Sequence, residues 1–241
     1  MKLFIAIDDT DNPHTIGTGR LSRNLAAELT ARGLIAGADV TRHQFLVHPD
    51  IPYTSHNSSA CLQAESLAEP AEVFAAAKEF MLANLHEEAN PGLCLAPKGA
   101  VPAALAELGR RAQTQVLQVE EGYVLAETPG LFTWRHGPTG QGIIGALSGV
   151  GLRNTADDGR FIDLPGIREV GGVLRVGEII SRTAVAAVVS EQGQELGPEE
   201  RVDTLDWIRP MLRRGKPVLV VVERDGVWQP EGKKKKKAAK K

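Results

Sequence analysis

The sequence predicts an α+β protein: a ferredoxin-like, split βαβ N-terminal part followed by a second, strand-rich lobe. Three observations carry that expectation. An apolar run from Leu3 to Ile7 stops abruptly at two aspartates. Over residues 1–97, strand-like and helix-like segments follow one another in the order β-α-β-β-α-β. From Phe161 onward the apolar segments become short and are bounded by Gly, Pro or charge, which marks strands.

The elements are justified in order. Lys2 to Ile7 reads as a buried strand ending in an acidic loop. Gly17 to Arg32 carries Leu21, Leu25, Ala26 and Leu29 at helical spacing, and Gly33 closes it. Val40 to Val47 is a second strand; His48 to Ser59 is polar, contains Pro49 and Pro52, and reads as a loop. Ala60 to Leu67 suits a strand, and Pro70 to Leu85 a helix with proline in its first turn. Asn90-Pro91-Gly92 is a turn before a short strand, Leu93 to Ala96. Pro102 to Ala112 looks helical, Gln115 to Val119 extended, and Gly137 to Gly151 a glycine loop running into a helix. Strands are expected at Val173 to Val176, Ala184 to Val189 and Val218 to Val222. The expected organisation is a first domain over 1–155, a second α+β or β-rich lobe over 156–232, and a disordered lysine-rich tail over 233–241.

Composition narrows the class. With 42% hydrophobic and 24% charged residues among 241, the chain has the makings of globular domains rather than a disordered polymer. No apolar run approaches the roughly 18 residues of a membrane helix, and the five-residue run near the N-terminus is too short for a signal-peptide core. A cytoplasmic protein without a membrane partner is expected. The two cysteines, Cys61 and Cys94, offer neither a disulfide framework nor a four-cysteine zinc site. Seven lysines in 233–241 mask an acidic body: without them the net charge of −2 becomes −9. Such a body advertises no phosphate-binding surface, so RNA is a disfavoured partner.

Four segments could carry chemistry. Asp8, Asp9 and Asp11 crowd three carboxylates into four residues at a strand end. A divalent cation relieves such repulsion, and magnesium commonly takes one or two carboxylates plus substrate phosphates; an acidic capping turn is the structural alternative. Gly17, Thr18, Gly19 and Arg20 open a helix, where backbone N–H groups bind phosphate and Thr18 could cap, contact phosphate or accept a phosphoryl group. The polar stretch from Thr41 to Ser59 includes Arg42, His43, His48, His56 and Asn57. It suits a nucleotide- or substrate-binding loop better than a zinc site. Gly142, Gly145 and Gly149 belong to a run that either wraps phosphate or ribose or packs a helix tightly.

Together these segments resemble archaeal agmatidine synthases, which modify an anticodon cytidine of isoleucine tRNA. Ile7 to Asp11 is similar to that family's opening "IDDTD". Pro49, Ile51-Pro52, Thr54, Asn57 and Ala60 follow its next segment in order, and GIIGALSGVG (142–151) resembles its "GIVGALAAIG". The resemblance implies a kinase-like ATP-binding domain with ferredoxin-like elements. It implies ATP and magnesium at Asp8, Asp9 and Asp11, with Thr18 in the place of the family's autophosphorylated threonine. Gly17, Gly19, Arg20, Arg42, His56 and Asn57 would contact nucleotide or substrate, and Gly142, Gly145 and Gly149 would line the opposite wall. The implied chemistry is phosphorylation of a carbonyl or hydroxyl followed by displacement by an amine. The family's "GMCTTY" is replaced here by Thr15 to Arg20, and the expectation is a short form with the kinase-like and ferredoxin-like domains but without the family's OB-fold and zinc ribbon. The expectation is therefore an ATP-dependent ligase or phosphotransferase acting on an amine and a nucleotide-like substrate other than whole tRNA. A tRNA-modifying enzyme with a separate RNA-binding subunit and a non-catalytic nucleotide-binding protein are the alternatives.

Overall fold

The strand that organises the molecule is β1 (Lys2–Asp8), whose apolar run is continuous because both of its faces are covered. The computed structural model describes residues 1–11, 16–51, 56–86 and 88–232; the lysine-rich segment 233–241, expected to be disordered, lies outside them, as do Pro52 to Ser55 of the polar loop. Two compact units result, Met1–Ile162 and Asp163–Lys241.

In the first unit, β1 is followed by α1 (Thr18–Ala31), β2 (Ile35–Gln44), β3 (Ser58–Ser66), α2 (Pro70–Ala83) and β4 (Gly92–Pro97). Then come α3 (Ala103–Ala112), α4 (Val119–Ala126), β5 (Phe132–Arg135), α5 (Gly142–Asn154) and β6 (Arg160–Asp163). The strand order is β5-β4-β1-β3-β2-β6. Its antiparallel centre, β4-β1-β3-β2, is the split βαβ arrangement that the element order predicts. The register pairs Ile5 with Leu62 on one side and Leu95 on the other.

Alternation along the strands builds two cores. Leu3, Ile5, Ile7, Leu62, Leu93 and Leu95 face α1 and α2, which supply Leu21, Leu25, Leu29, Val73, Ala77 and Met81. Phe4, Ala6, Cys61, Cys94 and Ala96 face α3 and α5, which supply Leu105, Leu108, Ile143, Leu147 and Val150. Helix α5 approaches the sheet and α3 so closely that side chains would not fit. A Cβ on Gly151 would lie 2.0 Å from the Leu105 carbonyl oxygen, and one on Gly109 2.5 Å from Leu152 Cγ. Near its end, buried Arg153 pairs with Asp39 (Nη2–Oδ1 2.6 Å) and stands over the Phe161 ring. Phe161 is buried, and Ile162 packs on the α1–α2 core, which carries the first unit past 155 to Ile162.

Some local expectations differ from the fold. The second strand begins at Ile35, through a bulge between Ala36 and Asp39, and ends at Gln44. The segment expected to be extended from Gln115 is irregular up to Gln118, and Val119 opens α4. That helix starts from Gln118, whose backbone N–H donates to Glu121, rather than from one of the small polar residues that usually announce a helix.

The second unit contains β7 (Val173–Arg175), α6 (Val176–Arg182), β8 (Ala187–Ser190), β9 (Arg201–Asp203), β10 (Met211–Arg213), β11 (Lys216–Arg224) and β12 (Val227–Pro230). Its long strand β11 pairs with β10 and β12 antiparallel and with β8 in parallel. Val188, Val202, Leu219 and Val221 are buried within it, so this lobe is strand-rich as expected. Among the described residues no helix is long and apolar enough to cross a membrane.

Gly→Ala inside a helix ordinarily stabilises by about 0.5–1 kcal/mol. At Gly151 the sign reverses, because the methyl meets a fixed backbone carbonyl. Gly151→Ala is expected to lower unfolding free energy by about 1–3 kcal/mol in urea titration. Gly99→Ala, with open space around it, leaves stability nearly unchanged.

Candidate active site

The C-terminal end of β1 is where the chain's acidic loop meets α5. Asp8 lies in register with Gly92 of β4. Gly142, at the start of α5, donates its backbone N–H to Asn90 O at 3.0 Å. A Cβ on Gly92 would lie 2.2 Å from the Gly142 carbonyl carbon, and one on Gly145 only 1.6 Å from Asp8 Oδ2. The helix therefore lies directly on the strand ends, with the Asp8 carboxylate against its glycine face. Asp9 then takes a left-handed conformation (φ 52°), which few non-glycine residues adopt. Its Oδ2 accepts a hydrogen bond from Gln141 Nε2 at 3.1 Å. Thr10, buried, donates from Oγ1 to Thr18 Oγ1 at 3.0 Å, which ties the loop to the first turn of α1.

These groups open onto a pocket of about 180 Å³. Its floor is Asp8, Asp9, Asp11, Thr18 and Gln141. Its apolar wall is Phe45, Val116, Leu117, Val119 and Ile144. Asp50, Ile51, His56, Asn57 and Ser58 form the rim, and Gly142 and Gly145 close the α5 side. Asn57 shapes the rim as well as lining it: its Nδ2 donates to Leu46 O at 2.7 Å, and its carbonyl accepts from the Phe45 N–H at 2.8 Å.

Of the sequence-predicted residues, the fold brings Asp8, Asp9, Asp11, Thr18, His56, Asn57, Gly142 and Gly145 to this pocket. The others stand elsewhere. Gly17 lines a neighbouring cavity with Thr10, Ile16 and His86. Gly19 packs toward Ile162, and Arg20 is exposed. Arg42 pairs through its backbone with Ala60 and does not line the pocket. Gly149 packs on Ser59 and Ala6, so the glycine run serves helix packing at one end and the pocket at the other. His43 is fully buried against Thr41 and Asp158 rather than offered to a metal with His48 and His56. The apolar wall and Gln141 escaped the sequence reading. Val116 and Leu117 sit in an irregular segment without periodicity, and a lone glutamine before a glycine helix carries no pattern.

The electrostatics are one-sided. Among the described residues lining the pocket there are four aspartates, no lysine and no arginine; His56 is the only basic side chain. Burial pushes the Asp8 carboxyl up to about 8. The Asp9 backbone N–H opposes that rise, and the Asp9 and Asp11 charges add to it. Asp9 is also raised, by burial first and by Asp11, with the Gln141 hydrogen bond opposing. Oxygen-only donors of this charge suit a hard divalent cation. No three His, Cys, Asp or Glu side chains among the described residues are arranged to hold a metal ion. The expected set of Asp8, Asp9 and Asp11 thus forms no three-carboxylate cage, and a cation there would take further oxygens from a ligand.

No family model matches the chain. It is 28% identical over 158 residues to the isoleucine-tRNA 2-agmatinylcytidine synthetase of Pyrococcus horikoshii, a match covering 63% of this chain and 36% of that protein. The chain resembles agmatidine synthetase. The fold agrees: a crystal structure of an agmatidine synthetase in complex with isoleucine tRNA and ATP superposes with a TM-score of 0.54 at 25% identity, covering 63% of this chain and 36% of that one. A tRNA fluorescent labeling enzyme matches with a TM-score of 0.53 at 27% identity and the same coverage. The chain spans about a third of the length of these agmatidine synthetase relatives.

A pH dependence follows from Asp8. Its ordinary value is 3.8 and its folded value about 8, so the folded chain binds more protons between those limits. This carboxyl therefore makes stability fall as pH rises from about 4 to about 8. In EDTA, Asp8→Asn is expected to melt higher than the unsubstituted chain at pH 8, with the gain shrinking toward pH 4. A melting difference independent of pH would refute the assignment.

Proposed function

We propose that this protein is a magnesium- and ATP-dependent enzyme that activates a carbonyl or hydroxyl oxygen by phosphorylation for attack by an amine. The observation that carries the reading is the convergence of Asp8, Asp9, Asp11, Thr18 and Gln141 on one pocket that apolar side chains also line. The apolar wall suits the flat face of a base, and the first turn of α1 presents its positive end beside Thr18. The likeness to a structure solved with ATP supports the same assignment.

Without lysine or arginine at the described lining, a bare polyphosphate would meet no compensating positive side chain and would be repelled by those aspartates that are ionised. Magnesium, when bound, would offset that repulsion and polarise the phosphates, with carboxylate oxygens of the Asp8, Asp9 and Asp11 loop supplying part of its shell and the phosphates the rest. This chain's own groups do the rest. Gln141 fixes the Asp9 carboxylate, and Thr10 fixes the Thr18 hydroxyl. The acceptor oxygen attacks the γ-phosphorus, the bond to the β-phosphate oxygen breaks, and ADP leaves. The amine then attacks the activated carbon, gives up a proton, and inorganic phosphate departs; an oxygen that leaves poorly has become one that leaves well. Thr18 is positioned either to contact the transferred group or to carry it. The acceptor in this reading is nucleotide-like. A base within tRNA is the second reading, favoured by the relatives solved with tRNA.

The test is ADP release by the full chain with ATP, magnesium and a polyamine, offered nucleosides, nucleotides and unmodified tRNA in turn. Turnover that requires one of these acceptors is expected, and the acceptor that supports it separates the two readings. Asp9→Asn should lower turnover by roughly 10²-fold or more. Full turnover in that variant would remove the acidic loop from the mechanism.

A further inference from the structure

The apolar wall of the pocket is mostly irregular chain, yet it is tied to the sheet through a buried polar chain that no step above uses. His43, on β2, is fully buried. Its Nδ1 lies 2.7 Å from Asp158 Oδ1, and its Nε2 lies 2.9 Å from Thr41 Oγ1. A carboxylate can only accept, so Nδ1 carries the proton; Nε2 meets the Thr41 hydroxyl, which also lies 3.3 Å from Cys61 O. The other oxygen of Asp158 accepts from Gln113 Nε2 at 2.9 Å, and the same amide reaches Gln44 O at 3.4 Å.

Gln113 caps the C-terminus of α3, two residues before Gln115, Val116 and Leu117, which line the pocket. The turn carrying Asp158 is seated just as firmly. Gly159 (φ 103°) lies on the imidazole, where a Cβ would be 2.7 Å from His43 Cε1. A parallel tie runs from the Leu46 N–H to Ala112 O at 2.9 Å, inside a small apolar cluster of Phe45, Ala112 and Leu152.

We infer that the chain Thr41–His43–Asp158–Gln113 positions the pocket wall that receives the base of the nucleotide, with Asp158 and Gln113 acting as positioning residues. The inference rests on the nucleotide reading above and adds the means by which an irregular segment is held in a binding geometry. Asp158 joins three parts of the unit: β2, the turn after α5 and the C-terminus of α3. Loss of one carboxylate-accepted hydrogen bond in such a chain weakens what it positions by about tenfold.

The full chain is titrated with Mg-ATP by calorimetry as Gln113→Ala, Asp158→Ala and Asp158→Asn. Gln113 is half-exposed at a helix end, so its truncation should leave the melting temperature nearly unchanged while raising Kd about tenfold. Asp158→Ala should raise Kd at least as much. Asp158→Asn should recover most of the affinity, because Asn still accepts from His43 and the Gln113 amide can turn its oxygen toward the new NH₂. With an active acceptor, KM for ATP should rise and kcat hold within about twofold. Unchanged Kd in both alanine variants, beside an unsubstituted chain that binds, overturns the inference. If the unsubstituted chain binds no Mg-ATP, the nucleotide reading fails instead. Amide hydrogen exchange over 114–119 then decides the positioning role: faster exchange in Gln113→Ala and Asp158→Ala upholds it, and unchanged exchange overturns it.

Discussion

Helix α5 touches the sheet at backbone distance, and the pocket exists because it does. Gly142 sits on Gly92, Gly145 on the Asp8 carboxylate, Gly149 on Ser59 and Ala6, and Gly151 on the Leu105 carbonyl. At each of these glycines a methyl group would come within 2.6 Å of a neighbouring atom. The spacing of these glycines, mostly three or four residues apart, keeps them on neighbouring faces of one helix. The residues between them, Ile143, Ala146, Leu147 and Val150, fill the core on that side of the sheet. One helix therefore closes the core with its larger side chains and presents bare backbone to the strand ends with its glycines.

That close approach sets the charge state of the site. A carboxylate pressed against a helix loses water that no protein cation replaces among the groups acting on Asp8. The cost of ionising it is held by the fold. The left-handed Asp9, held by Gln141, adds local backbone strain at the same point. An acidic loop of this kind is poorly explained as a stabilising turn; the proposed function gives it a cation-bearing nucleotide to hold.

The polar groups beneath the C-terminal half of α5 have a different task. Arg153 and Asp39 form a buried pair against Phe161, and His43 and Asp158 continue the polar layer toward α3. Buried ion pairs and hydrogen-bonded imidazoles add little net stability, but they fix geometry, because any displaced arrangement strands a charge. Here the fixed geometry joins β2, α5 and α3, the elements between which the pocket wall is strung.

Much of this was legible in the sequence. Strand β1 was readable because its apolar run ends at Asp8 and Asp9, and α1 because Leu21, Leu25 and Leu29 repeat at helical spacing. The order of the first elements implied the split βαβ centre, and the acidic loop announced itself by charge density alone. What only the tertiary structure decided was which side chains meet. Gly149 and Gly145 look alike in sequence, yet one packs on Ser59 and the other on a carboxylate, because their places along α5 fall over different strands. His43 stands in sequence beside His48 and His56 in one polar stretch, yet the fold buries it against Thr41 and Asp158. Val116 and Leu117 follow no period, because they are held by contacts from residues far along the chain rather than by a repeating element. Local sequence determines periodicity, charge and turn chemistry; long-range packing, in which each contact is made by residues unrelated in sequence, determines the walls of a site.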